Sequence, residues 1–230
     1  MYAIGDIHGR LDLLTRMHAW IAADAAASTA DRRVLVYIGD YVDRGPHSSG
    51  VIDLLIDRPL PGFEIVHLLG NHEDAMLRFP DDVSIGPTWL TYGGVATLLS
   101  YDVELSSTDW RDERVLRRLQ GEVRRRVPRR HVEFMRAMKL THVEGDYLFV
   151  HAGIRPGIPL ERQEREDLLW IRSDFLEAQE DHGRIVVHGH TISEKPDIRP
   201  NRIGIDTGAF FSDRLTCLVL DGADRSFFRT

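Results

Sequence analysis

The segment Gly39-Asp40-Tyr41-Val42-Asp43-Arg44-Gly45 follows directly after the apolar run Val34-Leu35-Val36-Tyr37-Ile38. A β-branched run of this length predicts a buried strand, and open α/β sheets place their ligand sites at the carboxyl ends of strands. Asp40 therefore stands where a ligand residue is expected. Asp43 and Arg44 lie in the same glycine-bounded loop, and a guanidinium beside two carboxylates suits a metal and a phosphate together.

Four other apolar runs also end abruptly in residue types that ligate metals. A Gly-Asp pair after one strand is weak evidence, because such pairs are common in turns. The four run ends are Gly5-Asp6-Ile7-His8-Gly9, Gly70-Asn71-His72-Glu73, His151-Ala152-Gly153 and His188-Gly189-His190-Thr191. Five strand ends of this kind predict one cluster of Asp, Asn and His side chains.

The order of the predicted elements indicates an α/β fold with a mixed sheet. A helix from Leu11 to about Ala27 separates the first two strands, which favours parallel neighbours with both loops at one edge. Helices separate the early strands, whereas turns separate the late ones. The other predicted elements are a helix from an N-cap at Ser48 to Arg58, a strand 64–69, helices 113–126 and 128–138, a hairpin 141–150, a helix 165–178, and strands near 184–188, 202–206, 215–221 and 225–229.

The length predicts a single domain, residues 1–230, with a mostly helical insert at about 74–139. The segment 89–94 in this insert is predicted to be a packed turn without chemistry. Arginines make the insert locally basic, which fits either a solvated helical face or an electrostatic guide for phosphorylated substrate. These arginines are Arg117, Arg118, Arg124, Arg125, Arg126, Arg129 and Arg130.

Composition excludes several classes of partner. The chain is 43% hydrophobic and 28% charged with a net charge of -7, so it lacks the basic footprint of general nucleic-acid binding. No apolar stretch reaches the 18 residues of a membrane span, and the first motif at Gly5 leaves no room for a signal peptide. We therefore expect a cytoplasmic protein with no membrane partner, either a monomer or a small homo-oligomer. The single cysteine, Cys217, is expected in the core.

Taken together, these motifs resemble those of the phosphoprotein phosphatase family of dinuclear metallophosphoesterases. The strings 168–172 (LLWIR) and 205–209 (IDTGA) are most similar to lambda-phage-type and bacterial serine/threonine protein phosphatases. The resemblance runs from residue 4 to about residue 209. It implies the calcineurin-like metallophosphoesterase fold, with two mixed β-sheets packed face to face and helices outside.

The resemblance also implies a metal centre of two divalent ions. Oxygen and imidazole ligands without thiolate suit Mn²⁺, the expected metal, or Fe and Zn²⁺. Asp40 would bridge the ions, so that both could act on one phosphoryl group and on the water they share, which is the implied nucleophile. The implied ligands are Asp6, His8 and Asp40 for the first ion, and Asp40, Asn71, His151 and His190 for the second.

The resemblance implies catalytic roles for four further residues. His72 would be the general acid, with Asp43 orienting and charging its imidazole. Arg44 and Arg172 would bind phosphate oxygens. His188 precedes a glycine at the same strand end and is left open between a metal ligand and a residue that supports a ligand or lines the pocket, the latter being favoured. The segment 206–208 is left open between supporting the site and forming an Asp-Thr-Gly turn.

Three functions compete at this stage. The leading expectation is a metal-dependent phosphatase of phosphoserine or phosphothreonine proteins, or of small phosphorylated substrates. The alternative is a symmetrical dinucleoside tetraphosphate hydrolase, since fold and motifs do not decide the substrate. A binding module with a dead site would lack a ligand or the acid, and every such residue type is present.

Overall fold

The computed structural model describes residues 1–105 and 107–230, which form two five-stranded sheets. The strand order is β10-β9-β1-β2-β3 in the first sheet and β4-β5-β6-β8-β7 in the second. The strands are β1 (Tyr2–Ile4), β2 (Val34–Tyr37), β3 (Glu64–His67), β4 (Thr141–Glu144), β5 (Tyr147–Val150), β6 (Ile185–His188), β7 (Asp197–Ile198), β8 (Arg202–Gly204), β9 (Thr216–Asp221) and β10 (Asp224–Arg229).

Both sheets are mixed, as expected from the order of elements. Strands β1, β2 and β3 are mutually parallel, because helices connect them, and β5, β6 and β8 form the parallel part of the second sheet. The hairpin β4–β5 and the pairs β1–β9, β9–β10 and β7–β8 are antiparallel. The carboxyl ends of the parallel strands thus lie at the same edge within each sheet.

The helices cover the outer faces of the sheets. The segment from Gly86 to Ser100 contains two helices separated by a kink at Gly93, and short 3-10 turns lie at Val83–Ile85 and Leu160–Arg162. The helices are α1 (Leu11–Ala27), α2 (Ser48–Asp57), α3 (Asn71–Arg78), α4 (Gly86–Trp89), α5 (Val95–Ser100), α6 (Glu113–Arg126), α7 (Arg129–Arg136), α8 (Arg165–Trp170), α9 (Ser173–Leu176) and α10 (Ala209–Ser212).

The two sheets pack face to face through one apolar layer. Alternate side chains of β2 point to opposite sides: Val34 and Val36 enter the layer between the sheets, whereas Leu35 faces the helices. Phe149 and Val187 of the second sheet contribute to the same layer. Because both faces of β2 are covered, its sequence is apolar without interruption. The fold predicted from the resemblance is confirmed.

Several local predictions were wrong. Ser48 is the first residue of α2 rather than its N-cap, which is His47, and the Ser48 hydroxyl accepts a hydrogen bond from the Asp43 amide instead. The helix predicted at 165–178 is broken at Arg172, whose φ of -132° and ψ of -101° are not helical. The segment 89–94 is mostly helical rather than a turn, and only Gly93, at φ 127°, departs from helical geometry. Strand β7 was not predicted.

The chain leaves the first sheet after β3 and returns beside it at Lys139, whose amide donates to His67 O and whose carbonyl accepts from Leu69 N. Between these points lie α3 to α7. Apolar residues of α6 and α7, such as Leu119 and Met135, share one core with α1 and α2. The division into a single domain with a helical insert stays a prediction. In the described part of the chain, no helix is both long and apolar enough to cross a bilayer.

Candidate metal centre

All six residues predicted as metal ligands meet at the facing edges of the two sheets. The first sheet places three stretches there, because β1, β2 and β3 are parallel and end together. The second sheet adds the residues that follow β5 and β6. The six side chains are all at most 7% exposed and are Asp6, His8, Asp40, Asn71, His151 and His190.

Asp40 lies between two groups of imidazoles. Its Oδ2 is 3.4 Å from His8 Nε2, and its Oδ1 is 3.4 Å from His151 Nε2. Two clusters suited to a metal ion share it: His8, Asp40 and His72 on one side, and Asp40, His151 and His190 on the other. Burial alone raises the pKa of Asp40, but the imidazoles of His151, His72 and His8 outweigh it and hold that pKa well below its usual value.

Asn71 completes the second cluster. It is the first residue of α3, and its Oδ1 lies 2.9 Å from both His151 Nε2 and His190 Nδ1. An amide oxygen and two imidazole nitrogens of buried side chains therefore face one another. Burial lowers the pKa of His151 and of His190, which favours the neutral imidazoles that a metal requires.

Unpartnered buried atoms test whether the residues present fit metal ions. Within the described residues, seven buried side-chain atoms lack a hydrogen-bond partner, and three of them, Asp6 Oδ1, His8 Nε2 and His190 Nε2, lie in the cluster. Buried polar atoms are rarely left unpaired, because the lost hydration costs free energy. All three belong to predicted ligands, and their chemistry is that of carboxylate and imidazole donors. The site thus fits divalent metal ions, whose identity stays a prediction.

His72 differs from the other imidazoles in its surroundings. Its Nε2 lies 3.3 Å from Arg44 Nη2, a cationic group that disfavours a metal at that nitrogen, and its Nδ1 lies 2.6 Å from Asp43 Oδ2. Burial lowers the pKa of His72, but the carboxylates of Asp40 and Asp43 outweigh it and raise the pKa to about 9. The two carboxylates therefore favour the protonated form of this imidazole.

Asp43 is itself fixed by three neighbours that the sequence did not reveal. Trp89 Nε1 donates to its Oδ2 at 2.9 Å, and Thr97 Oγ1 donates to its Oδ1 at 2.6 Å. Its backbone amide is 3.0 Å from the Ser48 hydroxyl. The carboxylate is fully buried, so this network determines where it points. No sequence signal linked Trp89 or Thr97 to Asp43, from which they lie 46 and 54 residues away in the chain.

Glu73 organises the loop that carries Asp40. Its carboxylate accepts from the amides of Asp40, Tyr41, Val42 and Gly70 at 2.8 to 3.0 Å. The loop after β2 is thereby tied to the start of α3, so that Asp40 is positioned by a buried side chain. The spacing Gly-x-x-Glu of a capping box was the available signal for this residue.

The backbone of the site is strained. His8, Asp40, Asp43, Arg44 and His190 have φ between 46° and 72°, a region that non-glycine residues seldom occupy. Each such residue costs about 1 to 3 kcal/mol and persists only where the surroundings impose it. Strain concentrated at one site supports a functional role for these side chains.

Arg44 and Arg172, the predicted phosphate-binding residues, lie beside the cluster. The Arg44 guanidinium lies 4.7 Å above the Phe210 ring, and Arg172 Nη1 is 3.2 Å from Thr191 Oγ1 and 3.4 Å from His190 O. Within the described residues, no carboxylate oxygen lies within 4 Å of a guanidinium nitrogen of Arg44 or Arg172. Both cations thus keep their capacity to bind an anion.

A cavity of about 480 Å³ opens from the cluster between α3, α4 and α8. Its wall includes a third arginine, Arg78, and two exposed aromatic rings, Tyr92 and Trp170, none of which had been predicted to have a role. The lining residues are Arg44, Asn71, His72, Asp74, Ala75, Arg78, Ser84, Ile85, Thr88, Trp89, Tyr92, Trp170, Arg172 and His190.

The structure bears on the two positions that the sequence left open, His188 and the segment 206–208. His188 does not line the cavity: it packs against Phe175, with ring centroids 5.1 Å apart, and its Nε2 is 3.5 Å from Arg202 Nη1. Asp206 Oδ1 accepts from the Gly208 amide, which is the expected Asp-Thr-Gly turn. Its carboxylate is also buried near Asp6, and burial raises the pKa of Asp206 to about 6.

The basic insert behaves as a solvated helical face. None of its seven arginines lines the cavity, and six of them have acidic partners nearby, such as Glu113 for Arg117 and Glu133 for Arg129. The remaining pairs are Arg124 with Asp81, Arg125 and Arg126 with Glu122, and Arg130 with Asp53 and Asp57. Guidance of substrate by these arginines has no support at the site.

We expect Gly189→Ala to release one metal ion. A Cβ at this position would lie 2.0 Å from Asp6 Oδ1, so the carboxylate must move away from the centre. Elemental analysis should find about one metal per chain where the parent has two, and turnover should fall by at least about tenfold. Gly121→Ala in α6 is the control, because its Cβ would meet nothing within 4 Å. Two tightly held ions in Gly189→Ala would contradict the placement of Asp6.

The fold and this site define the class of the protein. The family model for calcineurin-like phosphoesterases matches residues 1–210, and the chain belongs to that family. It is a metallophosphoesterase, as the motifs predicted.

Several individual proteins and solved structures are similar to this chain. The chain is 25% identical over 239 residues to the protein named bis(5'-nucleosyl)-tetraphosphatase PrpE, asymmetrical, of Anoxybacillus flavithermus, with 94% of this chain and 88% of the relative covered. A crystal structure of a candidate diadenosine tetraphosphatase matches with a TM-score of 0.65 and 20% identity over 99% of this chain and 92% of that one. A serine/threonine phosphatase from Saccharomyces cerevisiae, similar to human PP5, matches with a TM-score of 0.55 and 14% identity over 99% and 78%.

Proposed function

We propose that the protein hydrolyses a phosphoanhydride bond of dinucleoside tetraphosphates. The observation that carries this proposal is the cavity beside the cluster, which combines three arginines with exposed aromatic rings. Arg44 and Arg172 suffice for one phosphoryl group, and Arg78 adds a cation that a single phosphoryl group does not need. Tyr92 and Trp170 are 64% and 38% exposed, and such faces suit nucleobases better than an extended peptide.

The relatives support the same substrate class. The curated relatives at 25 and 27% identity are named asymmetrical tetraphosphatases, and the chain covers 88% of their length. Asymmetrical hydrolysis of diadenosine tetraphosphate yields ATP and AMP, whereas symmetrical hydrolysis yields two ADP. We propose the asymmetrical reaction, in place of the symmetrical one considered from the sequence.

In this proposal the predicted ligands keep their assignments. Asp6, His8 and Asp40 would hold one divalent ion, and Asp40, Asn71, His151 and His190 the other. When bound, the ions would polarise the phosphoryl group and supply an activated water. Mn²⁺ remains the proposed metal.

The remaining residues bind the phosphate and move a proton. Arg44 and Arg172 would bind the non-bridging oxygens of the phosphoryl group under attack and stabilise its charge. The water would lose one proton to solvent, and the bond from its oxygen to phosphorus would form while the bridging P–O bond breaks. His72 Nε2 would donate a proton to the departing oxygen, and Asp43 at Nδ1 would stabilise the imidazolium that donates it.

A protein serine/threonine phosphatase is the second candidate. The observation that favours it is the pair Arg44 and Arg172, which together match the needs of one phosphomonoester beside the cluster. The solved phosphatase neighbours are only 14 to 16% identical, and such a likeness concerns the fold alone.

A competition between substrates tests the proposal. Mn²⁺-loaded protein is offered diadenosine tetraphosphate and a phosphothreonine peptide, and products are separated by ion-exchange chromatography. We expect kcat/KM to be at least about tenfold higher for the dinucleotide, with ATP and AMP in equal amounts. Two ADP as the product would make the reaction symmetrical, and a preference for the peptide would establish the protein phosphatase. Failure to hydrolyse either substrate or p-nitrophenyl phosphate would favour a binding module.

A further inference from the structure

We infer that the cavity between α3 and α8 is a subsite for one nucleoside polyphosphate end of the substrate, in which Arg78 binds a phosphate remote from the metal centre and Trp170 stacks on the base. This inference rests on the proposed function and adds to it the residues that select the substrate. It concerns residues outside the metal cluster and its phosphate clamp.

Helix α3 leads from the metal centre into this cavity. Asn71 at its first turn belongs to the cluster, and Asp74, Ala75 and Arg78 follow on the side of the helix that lines the cavity. Seven residues of α helix span about 10 Å along the axis. Arg78 is therefore placed for a phosphate further along a polyphosphate chain than the one at the cluster.

Arg78 is available for an anion. Its side chain is 54% exposed, and its contact with Asp74 Oδ2 is long, at 3.4 Å. Asp74 is 7% exposed by side chain and has a closer partner, because Arg165 Nη2 lies 2.7 Å from its other oxygen. Since Arg165 already compensates the buried carboxylate, Arg78 can turn to a phosphate without leaving Asp74 unpaired.

The same ion pair positions the aromatic wall. Arg165 is the first residue of α8 and Trp170 the last, so the contact with Asp74 anchors α8 against α3. Trp170 stands edge-on to the ring of His190, with centroids 6.0 Å apart and planes at 84°. The exposed indole lines the cavity beside the metal cluster. Tyr92 lines the same cavity, and its carbonyl is 3.5 Å from Arg44 Nε.

The side chains that line the cavity indicate the class of ligand that it would bind. Guanidinium groups bind phosphate oxygens, and aromatic faces accept any nucleobase because every base has a π-face. The protein carries a net charge of -7, yet Arg44, Arg78 and Arg172 converge on this cavity. A nucleoside with two or more phosphates supplies both the planar group and the spaced anions.

Two substitutions test the subsite. Trp170→Ala should raise the KM for diadenosine tetraphosphate by about tenfold or more, and Trp170→Phe should recover most of the loss because it keeps a ring. Arg78→Ala should raise the same KM by about tenfold. For both alanine variants, the ratio of kcat/KM for the dinucleotide to that for p-nitrophenyl phosphate should fall by a similar factor. Arg118→Ala in α6 is the matched control, because Arg118 is exposed but lies outside the cavity.

Binding measured without turnover separates the inference from the proposed function. Calorimetric titration of EDTA-treated protein with ATP should show binding that Trp170→Ala and Arg78→Ala each weaken about tenfold. Undiminished ATP binding in both variants, or an equal loss for dinucleotide and p-nitrophenyl phosphate, overturns the subsite even if diadenosine tetraphosphate is the substrate. Weakened binding without any dinucleotide hydrolysis overturns the proposed function and leaves the subsite in place.

Discussion

Asp40→Asn should remove both metal ions and lower phosphoester hydrolysis by at least about 10³-fold. Asp40 is the residue that both metal-binding clusters share, with Oδ2 toward His8 and Oδ1 toward His151. Replacing one oxygen by an amide NH₂ would remove a ligand atom and the negative charge that Asp40 would offer to both ions. The loss corresponds to the several kcal/mol that metal ions contribute to such reactions.

The measurement is metal content together with turnover of p-nitrophenyl phosphate. Asp53→Asn is a matched control, since Asp53 is a carboxylate of α2 that pairs with Arg130 and His131 away from the cluster. It should keep two ions and ordinary turnover. Two ions retained in Asp40→Asn would sink the idea that this carboxylate bridges them.

His72→Asn should keep both metal ions and depress turnover by about 10² to 10⁴-fold on substrates with poor leaving groups. We expect this because Nε2 of His72, whose ring Asp43 holds from the other side, would be the proton donor of the site. A leaving group that is already acidic needs little help from a proton. The loss should therefore shrink toward p-nitrophenyl phosphate and be largest for a phosphoserine peptide.

The informative measurement is a series of phosphate esters of graded leaving-group pKa, assayed with the parent and with His72→Asn. Asp43→Asn should show the same trend with a smaller loss, because the imidazole would remain but lose its stabilising charge. An equal loss across the series would rule out a general acid. Loss of one metal would instead make His72 a ligand of the cluster formed with His8 and Asp40.

Much of the fold could be predicted from local patterns. The helix at Leu11–Ala27 and the strand at Val34–Tyr37 lie where the periodicity of apolar residues placed them. The strand-helix-strand unit then required β1 and β2 to be parallel, which brought Asp6 and Asp40 to one edge. The short strand Asp197–Ile198 was missed, because two residues carry no periodic signal.

Side chains that act through contacts with residues far away in the chain could not be predicted from the sequence. The partners of the Asp43 carboxylate, Trp89 and Thr97, come from the helical insert, and nothing in their own stretches marks them. The same holds for Arg78 and Trp170, which lie 92 residues apart in the chain but line one cavity. The arginines that were conspicuous in the sequence instead pair mostly with neighbouring acids.

The sequence by itself determined the class of fold, the family and the six candidate ligands, because residue types at strand ends obey local rules of spacing and topology. Only the tertiary structure decided which oxygen of Asp40 faces which imidazole, how Asp43 is held and which residues form the wall of the cavity beside the cluster. Those features depend on distances between side chains far apart in the chain, and packing sets such distances only when the two sheets and the insert are folded together.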